Sequence, residues 1–244
     1  MYNYKLVIEY DGKDFKGWQK QKYTKDTIQE CIESSIEKLL KEKVKLIVAG
    51  RTDSGVSAYN QVANFIFNKK LETAKFRYSL NSILPGEITI KDVRLVSPEF
   101  HSRYSAIKRE YIYKITFSKR SIRRNEFYRF NCSLDYKNID EFIKFISGQL
   151  NFRSFCKNKE DKNNFSCCIY DFKYKNIKSR NELIFSISAN RFLHSMVRSI
   201  IGCALELGRG RLNLNHIKEL TKKGEKPGSV YLPSNALFLN KIYY

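Results

Sequence analysis

The sequence predicts an α+β protein made of two similar halves, each built on a mostly antiparallel sheet. Three observations carry this. The first hundred residues run in the order β-α-β-β-α-β, the remainder repeats much of that order, and no low-complexity linker separates the two. That order is the ferredoxin-like split pattern. Each half opens on an apolar strand followed by an apolar helical face, so the two sheets are expected to join and leave a cleft between the halves. The division falls near residue 104, giving a first half at 1–104 and a second at 105–244, both of ordinary domain size.

The elements follow from local pattern. Tyr4 to Tyr10 alternates around Leu6, Val7 and Ile8 and reads as a strand closed by Asp11-Gly12. Thr27-Ile-Gln-Glu30 has capping-box spacing. Behind it Ile28, Cys31, Ile32, Ile36, Leu39 and Leu40 recur at helical intervals. Val44 to Ala49 and Gln61 to Phe67 are strands. Phe76 to Leu84 is helical and stops at Pro85-Gly86, and Ile88 to Val96 is the fourth strand. In the second half Tyr111 to Phe117 is a strand and Ile139 to Leu150 a helix. Cys167 to Lys175 and Leu183 to Ala189 form a hairpin. Helices follow at Phe192 to Leu207 and Leu214 to Lys222, and Ala236 to Leu239 is the last strand.

Composition narrows the partner. Of 244 residues 42% are hydrophobic, enough for a real core. No apolar run approaches the ~20 residues a bilayer span requires. The N-terminus MYNYKLVIEYDG lacks the cationic start and long apolar centre of a signal peptide, so a soluble, cytoplasmic protein is expected. Lys and Arg number 45 against 25 Asp and Glu, a net charge of +20. A Lys-rich surface normally carries matching acids; this one does not, which favours a polyanionic partner, nucleic acid first. Cys31, Cys132, Cys156, Cys167, Cys168 and Cys203 show no C-x-x-C spacing and His101, His194 and His216 lie far apart. A zinc site is not expected, and free thiols fit a reducing compartment.

Chemistry centres on "VKLIVAGRTDSGVSAYNQVANFIF". Asp53 lies in a loop between two strands, bracketed by Gly50 and Gly55, with Arg51 two residues before it. On the local pattern alone an Asp-Ser-Gly turn with a surface ion pair is the commoner outcome. Yet glycines also let a ligand approach the chain closely. Arg198 stands in the apolar stretch FLHSMVRSIIG, where it either snorkels to water or, if buried, needs a carboxylate. Tyr111 opens the strand Tyr-Ile-Tyr-Lys-Ile, where a core tyrosine is the ordinary reading.

These residues sit in a set of blocks that resembles the tRNA pseudouridine synthase A family. The blocks are "AGRTDSGV", "EYDGKDFKGWQKQ", "NSILPGEI", "FHSRYSAIKREYIYKI", "NFRSFC" and "HSMVRSIIGCALELGRG". They occur in family order over nearly the whole chain. The resemblance implies paired ferredoxin-like halves around a basic cleft. It also implies isomerisation of uridine to pseudouridine at positions 38–40 of the tRNA anticodon stem-loop, with no metal or organic cofactor and a homodimeric enzyme. By resemblance, Asp53 is the essential carboxylate acting at ribose or base and Arg198 its ion-pair partner. Tyr111 stacks on the target uracil and helps remove the C5 proton, and Arg51 enters the RNA as the base leaves. Leu237, in "NALFL", aligns with an apolar residue near the flipped base. A base inside a stem must flip out to be reached, and a neighbouring guanidinium counters the rise that burial would cause in an aspartate's pKa. Phosphate contacts are expected among Lys16, Lys20, Lys22, Arg77, Arg103, Lys108 and Arg109.

The sequence departs from the family at Ser57 and Ala58, where His-Gly or His-Ala is typical after "GV". It departs again at Ala236, where glycine is usual, and around Pro233. These bear on substrate range more than on reaction type. An aspartic protease is discarded because no second Asp-Ser/Thr-Gly exists in the chain. A non-catalytic RNA-binding protein on the same scaffold is the alternative.

Overall fold

The computed structural model describes residues 1–157, 164–228 and 231–244. In chain order its regular elements are β1 (Tyr2–Tyr10), α1 (Ile28–Leu40), β2 (Ile47–Val48), β3 (Ser57–Phe67), α2 (Thr73–Ile83), β4 (Ile88–Val96) and β5 (Lys108–Thr116). There follow β6 (Tyr128–Arg129), α3 (Tyr136–Ile146), β7 (Gly148–Asn151), β8 (Ser166–Ile177), β9 (Glu182–Ala189), α4 (Met196–Gly208), α5 (Leu214–Lys223) and β10 (Leu237–Tyr243). The α+β class expected from the element order is what forms, and most of the strand pairings are antiparallel, those of β10 with β3 and β5 with β6 being parallel. Two compact units divide the chain, Met1–Ile107 with Phe238–Tyr244, and Lys108–Leu237.

In the first unit β1 lies between β4 and β3, antiparallel to both. Its alternation places Tyr4, Leu6, Ile8 and Tyr10 inward, all essentially buried. α2 covers that face: Phe76 meets Phe65 of β3, which meets Tyr4 of β1, at ring-centroid distances of 6.0 and 5.5 Å. Ile28, Ile32 and Ile36 of α1 are also fully buried. Thr27 caps α1 by accepting from the Glu30 N–H at 3.3 Å. Only half of the capping box forms, because the Thr27 N–H donates to the Lys25 carbonyl and Glu30 pairs with Lys20 instead. β2 is shorter than its apolar run predicts. The Leu46 N–H is taken by the Glu33 carboxylate of α1 (2.9 Å), so the ladder to β3 begins at Ile47.

The last strand differs most from expectation. Sequence order assigns it to the second half, but residues 238–244 cluster with the first unit, where β10 runs parallel to β3 with Phe238 opposite Ser57. Its side chains explain the choice. Phe238 stacks on Tyr59 at 5.2 Å, the Asn60 amide donates to the Asn240 carbonyl, and the Tyr244 hydroxyl donates to the Ser102 carbonyl.

In the second unit the sheet order is β5-β9-β8-β7, with β6 beside β5. The predicted β8–β9 hairpin is present, offset by a bulge around Tyr170. α3 stops at Ile146 rather than Leu150. Ser147 closes its last turn onto the Ile143 carbonyl, Gly148 turns the chain at φ +87°, and residues 148–151 pair with β8. α4 begins at Met196, not Phe192, because Ser195 adopts a left-handed φ of 60°. Ile139, Phe142 and Ile146 of α3 are fully buried, as are most residues of α4.

Buried Lys114 on β5 is neutralised from the turn before β6. Glu126 accepts two bonds from Arg123 at 2.6 Å and one from Lys114 at 3.0 Å. Those bonds, Arg123 first, hold the Glu126 carboxyl down at about 2 against an ordinary 4.5. A carboxyl depressed in the folded state contributes stability above its unfolded value, and that contribution is lost as pH falls toward 2. Glu126→Gln is therefore expected to flatten the decline in urea-unfolding stability between pH 4.5 and 2 relative to wild type. A parallel decline in both proteins would remove Glu126 as its source.

Candidate active site

Asp53 lies in the loop between β2 and β3, half-buried, with Arg51 and Ser54 exposed on either side and Thr52 buried. The loop is a tight turn, closed by the Val56 N–H donating to the Asp53 carbonyl at 3.2 Å. What distinguishes it from an ordinary surface turn is its bedding. Below, the Thr52 hydroxyl bonds the Tyr10 hydroxyl at 2.7 Å in a buried contact. Gln61 of β3 donates to Tyr10 Oη at 3.4 Å and to the Gly50 carbonyl at 2.8 Å. Burial pushes the Tyr10 phenol up to about 12, with the Thr52 and Gln61 bonds opposing, so it remains a neutral hydroxyl at physiological pH.

A second loop, residues 11–18, clasps the first. The Trp18 N–H donates to the Thr52 carbonyl (3.1 Å) and the Gly55 N–H to the Phe15 carbonyl (3.3 Å). The Ser54 hydroxyl donates to that same Phe15 carbonyl at 3.1 Å. Gly12 and Gly17 permit this approach. A Cβ on Gly12 would stand 2.0 Å from the Val56 carbonyl oxygen. One on Gly17, which holds φ +94°, would stand 2.8 Å from the Thr52 oxygen and 3.1 Å from the Asp53 carbonyl carbon. Ser57, where histidine is typical of the resembled family, is used internally: its Oγ accepts from the Gly12 N–H at 3.0 Å and donates to Asp11 at 3.3 Å. The block "EYDGKDFKGWQKQ" is thereby explained, since Tyr10, Asp11, Gly12, Phe15, Gly17 and Trp18 all fix the Asp53 loop.

Tyr111, Arg198 and Leu237 belong to the second unit. Tyr111, on β5, is 8% exposed and its ring meets Phe192 edge-on at 5.2 Å, which sets the direction of its faces. Arg198 is half-buried on the first turn of α4. Its Nη2 donates to Ser195 Oγ at 2.9 Å and its Nη1 to the Leu232 carbonyl at 3.0 Å. The guanidinium thus ties the α4 N-terminus to the segment leading into Leu237. That segment is also held by β5: the Tyr113 hydroxyl donates to the Pro233 carbonyl at 2.9 Å and the Lys114 N–H to the Ala236 carbonyl at 3.1 Å. Leu237 is consequently buried and fixed.

Sequence reasoning missed Tyr10, Gln61, Tyr113 and Ser195. The first two look like ordinary strand residues and only their partners reveal them. The positive φ of Ser195 has no sequence signal. Among the expected phosphate contacts, Lys20 pairs with Glu30, the Arg77 guanidinium donates to the Lys91 carbonyl, and Arg109 donates to the Asn190 carbonyl. Among the described residues no three His, Cys, Asp or Glu side chains group to hold a metal, and no helix is long and apolar enough to cross a membrane.

Comparison with known proteins agrees with the blocks. A family model described as tRNA pseudouridine synthase matches residues 6–105 and 143–244. tRNA pseudouridine synthase A of Caldicellulosiruptor bescii is 39% identical over 253 residues, and that of Acetivibrio thermocellus 36% over 249, each aligned along all of both chains. An archaeal box H/ACA Nop10–Cbf5 complex aligns at a TM-score of 0.39 and 12% identity, over 83% of this chain and 43% of that one. That looser likeness carries no argument. The chain belongs to the tRNA pseudouridine synthase family.

Proposed function

We propose that this pseudouridine synthase acts on uridines 38–40 of the tRNA anticodon stem-loop, with Asp53 as its essential carboxylate. The observation that carries this reading is the bedding of the Asp53 loop. A solvent-exposed turn does not need a buried Tyr10–Thr52 hydroxyl contact beneath it and a glycine-mediated backbone clasp beside it. A carboxylate that must meet one atom of a flipped nucleoside does, because misplacement of a catalytic group by ~1 Å can lower the rate ~100-fold.

The reaction conserves atoms and electrons. The C1′–N1 bond breaks, uracil turns, C1′ bonds to C5, and the C5 proton leaves while N1 gains one. No oxidant or external group is consumed, so no cofactor is needed. Asp53 acts at the ribose or base, and Arg198 pairs with it to keep it ionised as RNA excludes water. Tyr111 stacks on the uracil, its ring oriented by Phe192, and its hydroxyl helps remove the C5 proton, with buried Leu237 as an apolar neighbour. Exposed Arg51 enters the space the uridine vacates. The basic surplus binds phosphate, and affinity falls with salt. The enzyme works in the cytoplasm as a homodimer.

Asp53→Asn is expected to abolish tritium release from C5-labelled uridine in unmodified tRNA while binding persists. Turnover like wild type would remove Asp53 from the mechanism, and parallel loss of binding would make its role one of RNA contact. Tyr111→Phe should bind tRNA normally and turn over more slowly, with wild-type rates excluding its hydroxyl from the chemistry. Gly17→Ala tests the clasp. Its single-turnover rate should drop by about 100-fold, whereas Gly86→Ala, where a Cβ meets nothing within 4 Å, should match wild type.

A further inference from the structure

One block of the sequence, "FHSRYSAIKREYIYKI", is used by the site only through its later part, Tyr111, Tyr113 and Lys114. Its first part forms an exposed loop of the first unit that is held with unusual care. Ser102 is fully buried. Its N–H donates to Asn64 Oδ1 at 2.9 Å and its carbonyl accepts from the Tyr244 hydroxyl at 2.9 Å. Asn64 donates in turn to Asn3 at 2.9 Å, and Asn3 donates to the Phe100 carbonyl at 2.8 Å. Asn3, Asn64 and Ser102 are all at most 3% exposed. A satisfied polar chain inside a sheet protein gives rigidity and position, because every partner must keep its place. Here it runs from β1 and β3 to the turn at residues 101–105.

The loop uses that rigidity to display side chains. The His101 N–H donates to Ser105 Oγ and the Ser105 N–H returns to the His101 carbonyl. His101 Nδ1 accepts from the Arg103 and Tyr104 N–H groups, both at 3.2 Å. The imidazole is thereby locked, and Tyr104 packs on it with ring centroids 4.4 Å apart. The Arg103 guanidinium lies 5.5 Å from the centre of the Tyr104 ring. Despite these neighbours Tyr104 remains 75% exposed. From His101 to Arg109 the chain carries Arg103, Lys108, Arg109 and His101 and no acidic residue. An aromatic ring held rigid, open to solvent and flanked by a guanidinium matches what an unpaired nucleobase and its phosphate require.

We propose that Tyr104, backed by His101 and flanked by Arg103, is a stacking platform for an unpaired base of the tRNA other than the uridine that reacts. The proposal rests on the tRNA-modifying reading of the chain and adds a binding subsite to it. Tyr104→Ala is expected to raise the Kd for unmodified tRNA about tenfold. Tyr104→Phe, which keeps the ring, should stay near wild type. The tenfold difference should persist from about 50 to 200 mM salt, since stacking releases no counterions.

Four results would overturn the platform. The first is a Tyr104→Ala affinity equal to wild type. The second is equal loss in Tyr104→Phe, which would make the hydroxyl the contact. The third is a difference that vanishes with salt, which would assign the contact to phosphate. The fourth is a change in sedimentation of the free protein with unchanged tRNA affinity, which would make the loop a protein interface. The wild-type measurement separates this proposal from the reading beneath it, because wild-type protein that neither binds nor modifies tRNA overturns both.

Discussion

The hydroxyl contact between Tyr10 and Thr52 is the interaction on which the candidate site depends. Tyr10 is the last inward residue of β1, which is flanked on both sides by β4 and β3. Its ring is 2% exposed, so its position is set by the core and not by solvent. Thr52 immediately precedes Asp53. The placement of the Asp53 carboxylate is therefore referred, through a 2.7 Å contact, to a strand hydrogen-bonded along both edges. Gln61 extends the reference to β3 and to the Gly50 carbonyl, so the loop is fixed at its entry as well as at its middle.

The two glycines of the 11–18 loop act differently. They add no attractive group; they remove a steric obstacle so that two backbones can meet. Once they do, hydrogen bonds from Trp18, Gly55 and Ser54 form across the gap. Ser57 completes the join at the root of the loop. A histidine there could not reproduce the Ser57 bridge between Asp11 and the Gly12 N–H with the same small side chain. The departure at that position is thus absorbed by local packing around the same loop.

The second unit uses the same strategy on another segment. Residues 231–236 contain no regular element before β10, yet their carbonyls are held by donors of different kinds. Arg198 takes the Leu232 carbonyl, Tyr113 the Pro233 carbonyl and the Lys114 N–H the Ala236 carbonyl. Burial raises the Tyr113 phenol far above its ordinary value, with Arg198 nearby opposing, so it stays a neutral donor. The Arg198 guanidinium thereby organises the path of the chain that ends in Leu237.

By itself the sequence determined what depends on neighbours within a few residues. The alternation of β1, the Thr27 cap of α1, the amphipathic face of α3 and the β8–β9 hairpin all follow from side-chain period and local hydrogen bonding. Asp53 was visible too, as a carboxylate between two glycines with an arginine beside it. Tertiary structure alone decided which strand β10 would join, because parallel pairing with β3 rests on Phe238, Asn240 and Tyr244 meeting residues more than a hundred positions away. It alone decided that β2 would shorten, since the competing acceptor for the Leu46 N–H is a side chain on α1. And it alone separated Asp53 from an ordinary turn, because what fixes that loop is a phenol at residue 10 and a missing Cβ at residue 17, neither of which is near it in the chain.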